Sequence, residues 1–290
     1  MTEAPRDSSS ARQNALSVNE DELSQYARSL RLSPTFSYPP EHPLVFVKAG
    51  GPSIQAEGDM QKLAFDWLKQ ERERTKCNIH IPEVYRIFKH DGGWTFLIMQ
   101  FVTATPFRFL LQDEDPYWQE HTSDDVTIGR YSAVRTRMRH PVFKDHDAPL
   151  IYLDVQELED HFNRIAAMRY RNYCPPSEAT TVSFKDEPLV YCYSDLQDEN
   201  FLFEKDADSR PRLWMVDFEH ASFLPISFLS FAVAVNRWWP TIPIAARLSL
   251  PQRNVEVMKD ISYIFMISAS GMGMTEEQRN PKRRGEHREG

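Results

Sequence analysis

Residues 193–203 read YSDLQDENFLF, and residues 213–219 read LWMVDFE. Here Asp195 follows a run of strand-forming residues, Asn200 comes five positions later, and Asp217 ends a second such run. The polar residues 206–209 lie between two short apolar runs and predict a hairpin turn. The hairpin would bring Asn200 and Asp217 together at its open end.

These residue types at this spacing suit phosphoryl transfer. A carboxylate such as Asp195 can orient a hydroxyl group and accept its proton, while the side-chain oxygens of Asn200 and Asp217 are hard ligands for Mg²⁺. The alternative is turn chemistry, because Asp and Asn side chains bond to nearby backbone in ordinary turns. A turn requires neither this spacing nor the flanking strands. We therefore predict Asp195 as the catalytic base and Asn200 and Asp217 as Mg²⁺ ligands.

The residues upstream of this motif predict a small sheet with one packed helix. Residues 44–48 form a short β-branched and aromatic run that ends at a Gly-Gly-Pro breaker, and 53–72 have apolar residues at helical spacing. Two further strands are expected at 84–88 and 94–102, joined by the hairpin residues 89–93.

The remaining segments are predicted as follows. A helix is expected over 154–170, and strands are expected at 189–193, 201–203 and 212–216. The aromatic and apolar residues from 218 to about 269 predict helical stretches interrupted by prolines. Residues 1–32 are expected to be a mobile tail with one short helix within 21–32, and 275–290 a disordered tail.

The chain resembles the aminoglycoside phosphotransferase and choline kinase branch of the protein-kinase-like fold, and in particular its fungal members. The resemblance covers about residues 43–234 and rests on four motifs in order, at 47–50, 81–85, 195–200 and 216–225. It implies a bilobal α+β fold. The smaller lobe, 33–102, would contain the antiparallel sheet, and the larger, mainly helical lobe, 103–274, would carry the catalytic loop.

The resemblance also implies an ATP site. Lys48 would reach the α- and β-phosphates of ATP, Glu57 on the following helix would hold Lys48 in an ion pair, and the backbone of Gln100, Phe101 and Val102 would contact the adenine. The alternatives are a solvated charge at a strand end for Lys48 and a favourable first-turn charge for Glu57.

The function expected from this set is ATP-dependent phosphorylation of a hydroxyl group on a small molecule. Two features depart from the family. Tyr193 stands where the family usually has a histidine, and residues 33–42, with three prolines and no glycine, lack the glycine-rich phosphate loop. These departures motivate the alternative, a weak or inactive kinase-like module that binds nucleotide or a protein partner.

The amino-acid composition limits which classes of binding partner are expected. The 290 residues are 41% hydrophobic and 26% charged, with a net charge of −8, so neither a fibrous protein nor a binder of nucleic acid is expected. The three cysteines lack metal-ligand spacing and suit a reduced, cytoplasmic compartment. No apolar run is long enough to cross a membrane, so no membrane partner is expected. The sequence carries no signal of an oligomeric state.

Two other features leave alternatives open. The acidic stretch 113–125 would either attract a cationic substrate or form a solvated loop. The chain has nine histidines, and seven of them are scattered between residues 80 and 220 without zinc-site spacing: His80, His90, His121, His140, His146, His161 and His220. Among them His161 lies on an apolar helix face, where a hydrogen-bonded structural role is expected.

Overall fold

The computed structural model describes residues 8–30, 35–75, 78–106, 138–170, 181–205, 210–236, 248–268 and 271–279. The chain divides into two compact units, each made of two chain segments. The first unit comprises 1–123 and 197–219, and the second comprises 124–196 and 220–290. The expected division was into lobes 33–102 and 103–274, with the hairpin after Asp195 in the larger lobe. In the structure this hairpin belongs to the first unit. The two units are described one at a time.

The described elements include helices and largely antiparallel sheets, so the protein is α+β, as the sequence predicts. The helices are α1 (Ser8–Ser17), α2 (Glu20–Ser29), α3 (Ser53–Thr75), α4 (Val155–Tyr170), α5 (Ile226–Val235), α6 (Val255–Ile267) and α7 (Glu276–Arg279). The strands are β1 (Thr35–Tyr38), β2 (Val45–Gly50), β3 (Ile79–His80), β4 (Val84–Lys89), β5 (Thr95–Gln100), β6 (Thr105–Pro106), β7 (Leu189–Tyr193), β8 (Phe201–Lys205), β9 (Pro211–Met215) and β10 (Ala221–Pro225).

The main sheet of the first unit is antiparallel and has the strand order β1-β2-β5-β4. Strand β5 lies inside it and is buried on both faces. Phe96 and Ile98 pack in a cluster that includes residues of α1 and α2, whereas Leu97 and Met99 pack against Ile54 of α3. This two-sided burial explains why β5 is a continuous apolar run in the sequence rather than an alternating one.

The amino-terminal segment was expected to be a mobile tail, but it contains two helices that pack against this sheet. Leu23 and Ala27 of α2 are fully buried beside strand residues. The side chain of Asn19 caps α2 by accepting hydrogen bonds from two backbone N–H groups. Arg86 of β4 ties the segment down by binding Glu20 and the carbonyl of Val18. The expected short helix within 21–32 corresponds to α2.

A second sheet of the first unit has the order β3-β9-β8-β6. Its centre is the predicted hairpin of β8 and β9, in which Phe201 lies opposite Met215. Strand β3 adds in parallel to β9, and a backbone bond of 3.0 Å from Leu213 to Asn78 extends that pairing. Short strand β6 pairs with β8.

The described part of the second unit is mainly helical. Helices α4, α5 and α6 surround a core whose largest buried side chains are aromatic: Phe143, Phe162, Phe184, Phe228 and Phe231. Strand β7 pairs with β10 in a two-stranded ribbon that sets Tyr193 opposite Ala221. Strand β10 was not expected, since the residues after 218 predict helices. Strand β10 ends at Pro225 and α5 begins at Ile226, so no polar turn separates the strand from the apolar helix that follows.

Within the described residues, no helix combines the length and the apolar character that crossing a membrane would require. The acidic stretch 113–125 lies outside the described residues, so both expectations for it stay predictions.

Candidate functional site

Lys48 lies on β2 between Thr35 of β1 and Leu97 of β5. Its Nζ atom is 2.6 Å from Oε1 of Glu57 and 2.9 Å from Oδ1 of Asp217, and its side chain is only 12% exposed. Lys48 is therefore not a solvated charge at a strand end. It lies between two carboxylates that come from distant parts of the sequence.

Glu57 reaches Lys48 because α3 lies close to the sheet. A Cβ atom on the next residue, Gly58, would be 2.5 Å from Cδ1 of Ile87 and 2.9 Å from Cδ1 of Leu97, so a larger residue would push the helix away. The side chain of Glu57 is 1% exposed. A carboxylate buried to this degree requires a paired cation, and Lys48 supplies it.

The charge state of Lys48 follows from these neighbours. Burial alone would lower the pKa of Lys48, but the carboxylates of Glu57 and Asp217 outweigh burial and raise the pKa above its usual value. The amine is therefore held as an ammonium group, the form that attracts phosphate oxygens.

The backbone of Asn200 lies beside the residue before Asp217 at the open end of the β8–β9 hairpin, and the convergence of the two side chains stays a prediction. The N–H of Val216 donates to the carbonyl of Asn200 at 3.0 Å, next to the Phe201–Met215 pair. Asp217 has φ of +62°, which is uncommon for a residue other than glycine and often marks a functional position. Its side chain is 37% exposed, so a ligand can reach the carboxylate.

The predicted adenine-binding residues lie at the end of β5. The N–H of Gln100 donates to the carbonyl of Glu83 at 2.8 Å, and its side-chain oxygen accepts from the N–H of Glu83 at 3.3 Å. The backbone donor of Gln100 is thus already bonded within the protein. Phe101 and Val102 follow the strand in irregular, partly buried chain.

Asp195 belongs to the second unit, whereas the other seven predicted site residues belong to the first. It follows β7, and its Oδ2 atom is 3.6 Å from Nδ1 of His220. The hydroxyl of Ser194 donates to the carbonyl of His220 at 2.8 Å. In the sequence, His220 is one of the histidines without zinc-site spacing, and no functional role was predicted for it. Its position three residues after Asp217, just before β10, is the signal that could have found it.

Tyr193, the residue in the place of the family histidine, is buried at the end of β7. His161 is also buried, between the hydroxyl of Tyr152 at 2.7 Å and the carbonyl of Met272 at 2.8 Å. This is the hydrogen-bonded structural role that its sequence position predicts.

The donor atoms fit Mg²⁺ better than a transition metal. Among the described residues, no three His, Cys, Asp or Glu side chains cluster as a metal site. Mg²⁺ needs no such cluster, because one or two protein carboxylates and the substrate phosphates can hold it with water. The partly exposed carboxylate of Asp217 fits this requirement. The ammonium of Lys48 fits the phosphates of a nucleotide.

No protein-family model matches the chain, and no curated protein matches it. Many solved structures are similar to parts of it, among them the following three. The GDP and kanamycin complex of APH(2")-IIia is 12% identical with a TM-score of 0.40, over 76% of this chain and 78% of that one. A candidate fructosamine-3-kinase from Haemophilus somnus 129PT is 13% identical with a TM-score of 0.38, over 76% and 75%. The AMP-bound complex of spectinomycin phosphotransferase APH(9)-Ia is 9% identical with a TM-score of 0.34, over 76% and 77%.

Each of these TM-scores is below 0.5. The three similarities therefore support no argument about the function of this protein.

Proposed function

We propose that the protein transfers the γ-phosphoryl group of ATP to a hydroxyl group of a small molecule. The observation that supports this best is the contact of Lys48 with both Glu57 and Asp217, with Asn200 bonded to the residue before Asp217. A buried ammonium beside an accessible carboxylate and an amide is the donor set that a Mg²⁺-bound nucleotide requires.

In this proposal each side chain has one task. Glu57 holds Lys48 so that its ammonium group binds the α- and β-phosphates. Asp217 and Asn200 bind Mg²⁺, which neutralises charge on the phosphates. The hydroxyl oxygen of the substrate attacks the γ-phosphorus, the bond to ADP breaks, and Asp195 accepts the hydroxyl proton.

The adenine would contact the chain that follows β5. The backbone of Gln100, Phe101 and Val102 would make this contact, and because the N–H of Gln100 is bonded to Glu83, the donor to the adenine would come from Phe101 or Val102. The bilobal kinase-like fold, the place among fungal relatives and the cytoplasmic location stay predictions from the sequence.

The second candidate is a kinase-like module that binds nucleotide or a protein partner without transferring phosphate. Two observations favour it. The connection between β1 and β2, residues 39–44, contains no glycine, and Tyr193 replaces the family histidine. A connection without glycine offers a poorer backbone cradle for phosphates.

One experiment separates the two candidates. Purified protein is titrated with Mg-ATP while its melting temperature is followed, and ATP consumption is then measured with a panel of small hydroxyl compounds. A ligand at 100 times its dissociation constant stabilises a protein by about 2.7 kcal/mol. We expect stabilisation by Mg-ATP and consumption that depends on one class of compound.

Three single variants separate nucleotide binding from phosphoryl transfer. Asp217→Asn should lose the stabilisation, Asp195→Asn should keep it and lose consumption, and the exposed Asp66→Asn should keep both. Stabilisation without consumption across the panel favours the second candidate. A protein that millimolar Mg-ATP does not stabilise contradicts nucleotide binding in either form.

A further inference from the structure

The backbone around Asp195 is held by the segment that carries His220. Strands β7 and β10 pair so that Tyr193 lies opposite Ala221, which puts the residues that follow β7 beside the residue that precedes β10. The buried hydroxyl of Ser194 donates to the carbonyl of His220 at 2.8 Å and closes this arrangement. The ring of His220 therefore has a defined position relative to Asp195.

The ring of His220 lies between Asp195 and a second histidine. Its Nδ1 atom is 3.6 Å from Oδ2 of Asp195, and its ring centre is 4.7 Å from that of His146 in an edge-to-face contact. His146 and its neighbour Asp145 both have positive φ, at 60° and 53°. Two successive residues of this kind without glycine are uncommon, and such backbone often occurs where a side chain must be aimed.

A third histidine supports the turn that carries His146. His140 is fully buried, and its backbone N–H donates to the carbonyl of His146 at 2.8 Å. Its Nδ1 accepts from the N–H of Val142 and its Nε2 donates to the carbonyl of Phe228, both at 3.1 Å, which leaves the ring neutral. His140 therefore stabilises the turn and His146 packs against His220.

We propose that His220 is a positioning residue that orients the carboxylate of Asp195. A donor or cation beside Oδ2 restricts rotation of the carboxyl group and so fixes the direction in which the carboxylate accepts the substrate proton. His220, the residue just before β10, supplies this restraint. This role rests on the proposed function, because it requires Asp195 to be the base. The 3.6 Å separation is longer than a hydrogen bond, and such contacts often tighten when substrate binds.

The first test measures the rate of phosphoryl transfer. Consumption of Mg-ATP is measured with the hydroxyl compound that increased it in the panel. If no compound does so, water serves as the acceptor: water attacks the γ-phosphorus, ADP leaves and Asp195 takes the proton. His220→Phe keeps a ring but no donor, and we expect kcat to fall about tenfold or more with KM for ATP changed less than about twofold. His220→Asn keeps a donor nitrogen near the position of Nδ1 and should restore much of kcat. His161→Gln, at another buried histidine, controls for general loss of structure.

The second test does not depend on activity. Melting temperatures are compared for Asp195→Asn, for His220→Phe and for the double variant. If the two side chains interact, the double variant should melt at least about 2 °C above the temperature that adding the single shifts would give. Asp195→Asn combined with His161→Gln should give additive shifts.

The outcomes distinguish the two proposals. Non-additive melting together with a kcat loss that Asn restores supports the positioning role. Additive melting, an unchanged kcat in His220→Phe, or equal losses in the Phe and Asn variants overturns it and leaves phosphoryl transfer standing. A wild-type protein that consumes no ATP overturns the proposed function, and the positioning role falls with it.

Discussion

At the scale of single residues, the contact of Lys48 with two carboxylates is the feature with the largest energetic consequence. Glu57 is nearly inaccessible to water, and its charge is tolerated because Lys48 lies 2.6 Å away. Removing one partner of a buried ion pair leaves an uncompensated charge and costs about 3–5 kcal/mol, whereas removing both is often close to neutral.

We therefore expect Lys48→Met to lower the free energy of unfolding by about 3–5 kcal/mol and to abolish stabilisation by Mg-ATP. Urea denaturation measures the first effect. The double variant Lys48→Met/Glu57→Gln should recover most of the stability but none of the nucleotide binding. Lys89→Met, at an exposed lysine at the end of β4, is the control. A Lys48→Met protein as stable as wild type would contradict the observed pair.

At the scale of elements, the main sheet of the first unit depends on helices from both sides. Helix α3 covers the face that carries Leu97, and α1 and α2 cover the face that carries Phe96. Because β5 is apolar on both faces, removing either cover would expose a continuous apolar surface. The amino-terminal segment is therefore part of the core of this unit.

This arrangement predicts different results for two leucines that are close in sequence. Leu23 is fully buried, whereas Leu16 is 56% exposed. We expect Leu23→Ala to lower the free energy of unfolding by about 2–5 kcal/mol, because it leaves a cavity between α2 and the sheet. Leu16→Ala should change it by less than about 0.5 kcal/mol. Equal effects in urea denaturation would show that α2 does not pack on the sheet in solution.

Across the whole chain, histidines that are buried or half-buried link stability to pH in both units. Burial lowers the pKa of His140 to about 3, with smaller effects from His220 and His146, although the bond to the Phe228 carbonyl opposes this. Burial, helped by Arg72 and Arg212, lowers the pKa of His80 to about 4. Burial also lowers the pKa of His161.

The sign of the effect follows directly. Between these lowered pKa values and about 6.5, the unfolded chain binds more protons than the folded one, so stability falls as the solution becomes more acidic. His140 alone should remove about 3 kcal/mol between pH 7 and pH 4. We expect His140→Gln to be less stable than wild type at pH 7 but to lose less stability on acidification. Urea denaturation at several pH values measures both slopes, and parallel curves would contradict the assignment.

Local patterns in the sequence were enough to predict strands β2, β4 and β5 of the main sheet, helix α3 and the hairpin, but not strand β1. The β-branched and aromatic run of β2, the helical spacing in α3 and the strand runs of β8 and β9 are each local features of the sequence. Elements that form only through distant pairing were not found. Strands β3 and β6 have only two residues each, too few for a period, and β10 runs directly into α5 without a turn that would separate it from the helical run. Helix α1 was not predicted, because its sequence has little apolar character.

The sequence by itself determined which side chains could take part in phosphoryl transfer, because Asp195, Asn200 and Asp217 are recognisable from their types and spacing. Only the tertiary structure decided that Lys48 lies between Glu57 and Asp217, and that His220 lies beside Asp195. Spacing along a chain reports on neighbours within one element. The approach of Lys48 to Asp217, 169 positions later, depends instead on how α3, the main sheet and the β8–β9 hairpin pack together.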